Sequence, residues 1–180
     1  MKNKNSKLVA ALLILLLSAF TVGGTAAFLI DTSDSVTNTF LPVEVDAEID
    51  EEFDGTHKNK IAVKNTGNIP AYTRVRLVDY WCDFSDKIVA KASWLDVEGL
   101  TPDNEWFYID GWFYYPEAVS ADGSTNILFD ESIELKTDSS SGTRQVLEII
   151  AEAVQAQPDD AVEEAWSDVE VKNGRLVGKE

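Results

Sequence analysis

His57 is the only histidine and Cys82 the only cysteine among 180 residues. Those two counts close off most side-chain chemistry. A His-Glu-x-x-His zinc site needs a second histidine one helical turn away. A Ser-His-Asp triad would have to run through His57, which lies in a charged stretch beside Lys58, and no Gly-x-Ser-x-Gly nucleophile turn occurs. Cys82 has no basic neighbour to hold a thiolate. Between Trp81 and Phe84 it reads as a small buried hydrophobe. No Gly-rich phosphate loop is present. Carboxylates remain, in pairs such as Glu51-Glu52, Asp159-Asp160 and Glu163-Glu164, which could do acid–base work or hold Ca²⁺. With 32 acidic residues such pairs arise without function, and none has EF-hand spacing. The reading is therefore of a non-enzyme with no catalytic residue, metal or cofactor. A hydrolase using two convergent carboxylates is the enzymatic alternative.

The chemistry the sequence does specify is performed on it. Lys2, Lys4 and Lys7 precede Leu8 to Ile30, which carries no charge. As a helix this stretch would reach about 35 Å, enough to cross a bilayer core. Its strongest apolar part, Leu8 to Leu17, has the length of a signal-peptide core, and Gly23 and Gly24 then weaken a helix. Thr25 and Ala27 supply small residues at −3 and −1, which places the cut after Ala27 with Phe28 as the new N-terminus. The alternative is an uncleaved signal anchor, the one way this chain would touch a membrane. Lysines ahead of the apolar run place the remainder across the membrane in both cases. The expected division is signal peptide 1–27, folded domain 28–170 and polar tail 171–180.

Losing three lysines takes the net charge from −17 to −20. Such a surface repels nucleic acid and anionic membrane, so neither is an expected partner. One cysteine permits no intrachain disulfide, so the exported domain must be held by its core.

The elements follow from periodicity. Val43 to Ile49 alternates apolar and acidic residues, the period of a half-buried strand. A polar loop over Glu51 to Lys60 should lead to a strand over Lys60 to Lys64. Asn65 to Asn68 is turn chemistry closed by Pro70. Over Ala71 to Tyr80, Thr73, Val75 and Leu77 face one way, with Arg74, Arg76 and Asp79 off that series. Trp106 to Ile109 and Gly111 to Tyr115 should pair through the tight Asp110-Gly111 turn, and Ile127 to Leu135 should be a further strand. Gln145 to Ala156 fits either a helical face or a strand covered on both faces. Pro158 to Trp166 starts a short acidic helix, and Lys172 to Glu180 should fray. Several strands with turn signals roughly every 8–12 residues and little helix predict a mainly β fold: an antiparallel β-sandwich with a short C-terminal helix, preceded by the N-terminal signal helix. The aromatic cluster reads as core, or as a sugar-stacking platform on Trp94, Trp106 and Trp112.

Several stretches resemble the TasA/camelysin family of exported Gram-positive proteins. They are Gly24 to Phe28 with Asp31, Asp34 and Thr37-Asn38-Thr39-Phe40; Val63 to Tyr72; Gly111 to Tyr115; and Ala151 to Ala156 with Ala165-Trp166. The resemblance reaches Trp166, and its internal pieces are closer to other exported members than to TasA. It implies a jelly-roll-like sandwich, processing by a SipW-type signal peptidase, and secretion. It also implies self-association, or association with related subunits, in extracellular matrix fibres of the kind found in biofilms. There the freed N-terminal segment adds as a strand to the next subunit. In this chain the donor is Phe28 to Phe40, with Phe28, Leu29, Ile30, Val36 and Phe40 as anchors, unless that segment is the first strand of its own sandwich. The metalloprotease activity attributed to camelysin finds no zinc motif here. A cell-surface adhesin or carbohydrate-binding module is the alternative function.

Overall fold

A computed structural model describes residues 44–90 and 93–179. The expected signal peptide, its cut at Thr25, Ala27 and Phe28, and the donor residues Leu29, Ile30, Val36 and Phe40 lie outside them. The described elements are β1 (Ala47–Phe53), β2 (His57–Asn65), β3 (Ala71–Asp83), β4 (Ile88–Ala90), β5 (Phe107–Ile109), β6 (Trp112–Tyr114), β7 (Ile133–Glu134), β8 (Thr137–Asp138), β9 (Thr143–Gln155), α1 (Asp160–Ala165), β10 (Val169–Lys172) and β11 (Arg175–Gly178). The chain is mainly β, with antiparallel sheets and one short helix among the described residues.

One sheet has the order β1-β2-β7, and a larger one the order β5-β6-β3-β9-β8, with β4 also on β3. The spine is the β3–β9 pair, thirteen residues each in unbroken antiparallel register from Ala71↔Gln155 to Asp83↔Thr143. A strand has two faces, and both are used. Val75, Leu77 and Leu147 turn inward onto Ile61 and Val63 of β2 and Ile133 of β7, closing a core with Trp106, Phe113, Tyr115, Leu128 and Phe129. Burying each such side chain is worth about 1.5–3 kcal/mol. On the opposite face, Tyr72 and Tyr114 pack under Val162 and Trp166 of the helical segment and Val169 and Leu176 of the last hairpin.

The Asp110-Gly111 turn has φ of 45° and 86°, which only a glycine-tolerant pair accepts readily, and it joins β5 to β6 as expected. The turn after β2 is held by Asn65, fully buried, whose Nδ2 donates to Ile69 O at 2.8 Å and Val119 O at 2.9 Å. Gly67 belongs there because a Cβ would collide with the backbone of Glu44 and Asp46.

The structure corrects several expectations. β1 runs on to Phe53 and β2 begins at His57, so the loop between them is only 54–56. Of Ile127 to Leu135 only Ile133–Glu134 is strand, because the preceding residues spend their main-chain groups singly on β2 and side chains. Asp79 shares its side with Leu77. It is tolerated there because its carboxylate accepts the N–H groups of Trp94 and Leu95 and the Ser93 hydroxyl. The polar tail is instead a hairpin: Asn173 and Gly174, at φ 54° and 76°, turn the chain, and Leu176 is buried. Gln145 to Ala156 resolves as strand as far as Gln155.

Candidate functional site

The parity of the β3–β9 ladder defines a site. Thr73 O accepts from Tyr115 N–H at 3.1 Å, and Ala71 exchanges bonds with Val119 at 2.9 and 2.8 Å. Odd-numbered residues of β3 thus point their main-chain groups away from β9. In an antiparallel pair the even-numbered ones then bond to β9, through Val154, Glu152 and Ile150. Odd-numbered residues of β9 must point to the far side. Thr143 pairs there with Asp138, and Gln145 N–H donates to Lys136 O at 2.8 Å. Beyond them Leu147, Ile149, Ala151, Ala153 and Gln155 face no strand among the described residues.

β1 is open in the same sense. Asp46 O accepts from Thr66 N–H at 3.1 Å, so the even-numbered residues face β2, and Ala47 and Ile49 face outward. Ala47 N–H turns back to its neighbour Asp46 Oδ1 at 2.9 Å. β1 and β9, on different sheets, approach each other, so the two edges, unpaired among the described residues, meet along one seam. Along it the inward side chains Ile49, Ile149, Ala151 and Ala153 are only half-buried. A cavity of about 430 Å³ lies at one end, lined by Val45, Ala153, Gln155, Ala161, Glu164 and Ala165.

The residues first considered for chemistry lie elsewhere. His57 heads β2, half-exposed, with Nδ1 3.2 Å from Asp54 Oδ2. Asp54 is held down at about 2 by the N–H groups of Thr56 and His57 and the Thr56 hydroxyl, which marks a turn-capping carboxylate. Cys82 is buried. Asp96, Glu98 and Asp110 line a cleft of about 450 Å³ with Arg76, and Asp103, Asp130 and Glu131 line another of about 570 Å³. Asp96 accepts the N–H of Gly99 in its own turn, and Asp103 accepts the N–H of Asp130 across the cleft. Among the described residues no three His, Cys, Asp or Glu side chains converge as a metal site would require.

The three tryptophans do not form one platform. Trp106 is 4% exposed and donates from Nε1 to Asn126 O, as a core residue. Trp94 packs against the first core and donates to Val146 O. Trp112 is half-buried on the outer face, with the Arg74 guanidinium 3.9 Å from its ring centroid. Arg74 also stacks on Trp166 at 4.9 Å and donates to Glu152 at 2.6 and 2.9 Å.

Sequence reasoning named strands here but missed the seam. Its one signal was the apolar-acidic alternation of β1, which marks a half-buried strand without saying that its edge is free.

Fold and seam together define a class: an antiparallel β-sandwich with two adjacent unpaired edges. Comparison with protein-family profiles, curated proteins and solved structures finds no match to this chain.

Proposed function

We propose that this chain is a secreted, non-enzymatic structural protein of the cell surface or extracellular biofilm matrix, in which copies join by strand donation. The observation that supports the reading is the β1–β9 seam. An exposed edge is a template for another strand, and natural domains normally cover or charge it. An added strand gains affinity from main-chain hydrogen bonds and register from alternate side-chain pockets. The donor is Phe28 to Phe40, released when a SipW-type peptidase cuts after Ala27, with its five apolar residues as anchors along an unpaired edge.

The test is electron microscopy and sedimentation of the chain beginning at Phe28, with and without residues 28–40. Fibres that vanish on deletion, with circular dichroism unchanged, support the reading. A mature chain that stays monomeric at every concentration overturns it.

A further inference from the structure

We infer that the cleft beside Leu77 binds a neutral carbohydrate, a mono- or disaccharide unit, through main-chain and charged groups that the fold leaves without partners. Such binding is independent of strand donation and holds whether or not copies join.

The cleft exists because the edge of β3 is interrupted. On the side away from β9, β6 covers Arg74 and Val75, and β4 covers Trp81 and Cys82. Between them no strand among the described residues lies against β3. Continuing the β6 register would set Gly111 opposite Leu77, but the chain turns at Asp110-Gly111 and leaves the ladder. Leu77 is odd-numbered, so its N–H and C=O point into this gap. The residue is 5% exposed, and among the described residues no main-chain or side-chain group bonds to it there. Main-chain groups so deeply placed are nearly always hydrogen-bonded. A ligand in the cleft therefore meets a donor and an acceptor with no competing partner in the protein.

Around Leu77 stand Arg76, Tyr108, Asp96, Glu98 and Asp110. Of the four arginines, Arg74, Arg144 and Arg175 each hold a carboxylate, and Arg76 holds none among the described residues. Its guanidinium is exposed and lies 5.8 Å from the Trp112 ring centroid, a contact that steadies it at the rim. The carboxylates disfavour an anion, and Arg76 disfavours a cation. One open strand residue is too little for a peptide, whose ladder needs successive alternate residues. Among the described residues no three His, Cys, Asp or Glu side chains converge on a metal position. A hydroxyl donates one hydrogen bond and can accept two. Neighbouring hydroxyls of a sugar can accept from Leu77 N–H and Arg76 while donating to Leu77 C=O and to Glu98 or Asp110. The cleft, about 450 Å³, falls within the roughly 300–1,000 Å³ of small-molecule sites.

The test is a proton–nitrogen NMR titration of the full chain with maltose, cellobiose and N-acetylglucosamine. At least one should give saturable shifts of the Leu77 and Gly111 amides, with Ala151 in the seam unmoved. Arg76→Ala, at an exposed position, should keep the urea midpoint and weaken that binding at least about tenfold, the loss of a charge-assisted hydrogen bond. Sodium acetate and ammonium chloride, which carry charge without neighbouring hydroxyls, should leave Leu77 unshifted. No saturable shift at Leu77 with any of these sugars overturns the inference. So does a shift that acetate or ammonium reproduces, or sugar binding that Arg76→Ala leaves unchanged.

Discussion

Ala151 of β9 stands opposite Val75 of β3, and by ladder parity its N–H and C=O point away from β3 into the seam. Its neighbour Ile150, opposite Arg76, points its own groups into the β3 ladder. Proline removes an N–H, which matters only where that N–H is bonded. Ala151→Pro is therefore expected to cost under about 1 kcal/mol and Ile150→Pro about 3 kcal/mol or more. Urea unfolding of the two variants checks this. Equal costs would mean that the edge is not free. Ala151→Pro should also abolish any assembly that uses β9.

Arg74 lies between Trp112 and Trp166 while its fork engages Glu152. A planar cation fits this slot and a tetrahedral ammonium does not. Arg74→Lys is expected to destabilise by about 1–2 kcal/mol, from lost cation–π contact and lost hydrogen bonds. Denaturant unfolding followed by tryptophan fluorescence measures it, and a stability unchanged from the parent would remove the stack as a source of stability.

Thr73 Oγ1 is fully buried with no hydrogen-bond partner. A buried hydroxyl left unpaired costs about 1–3 kcal/mol, whereas a methyl of the same size at that place costs nothing comparable. Thr73→Val should raise stability by about 1 kcal/mol, seen as a higher urea midpoint at constant slope. A loss of stability would show that the hydroxyl has a partner, such as water.

Tyr80 donates its hydroxyl to Glu148 Oε1 at 2.7 Å, and this bond, with burial secondary, pushes the phenol from 10.0 up to about 12. The folded value lies above the unfolded one. The stabilising contribution is therefore fully present below pH 10.0 and lost as pH rises through about 12. In ultraviolet titration Glu148→Gln should move one tyrosine down toward its ordinary range. An unchanged titration curve would show that the bond does not hold in solution.

Some of this was legible in the residues. Asp110-Gly111 specifies its turn because few pairs accept two positive φ angles in succession. The alternation of Thr73, Val75 and Leu77 marks a strand face because the pleat has period two. A single cysteine fixes the absence of an intrachain disulfide, and the excess of carboxylates sets the charge. These features depend only on neighbours along the chain.

Tertiary structure decided the rest. Gln145 to Ala156 suits a helix or a strand by pattern, and β3 settles the matter by offering thirteen residues of ladder. Asn173-Gly174 could turn any tail, but the hairpin exists because Leu176 has Tyr72 and Trp166 to pack against. Trp106 and Trp112 look alike in sequence, and only the closing of two sheets buries one and leaves the other stacked on Arg74. The seam is the clearest case. Whether Leu147 to Gln155 has a free edge depends on how far β8 extends and where β1 lies, which are facts of pairing between residues distant in sequence. Local periodicity can specify a strand and its faces, but it carries no information about which strand, if any, stands alongside.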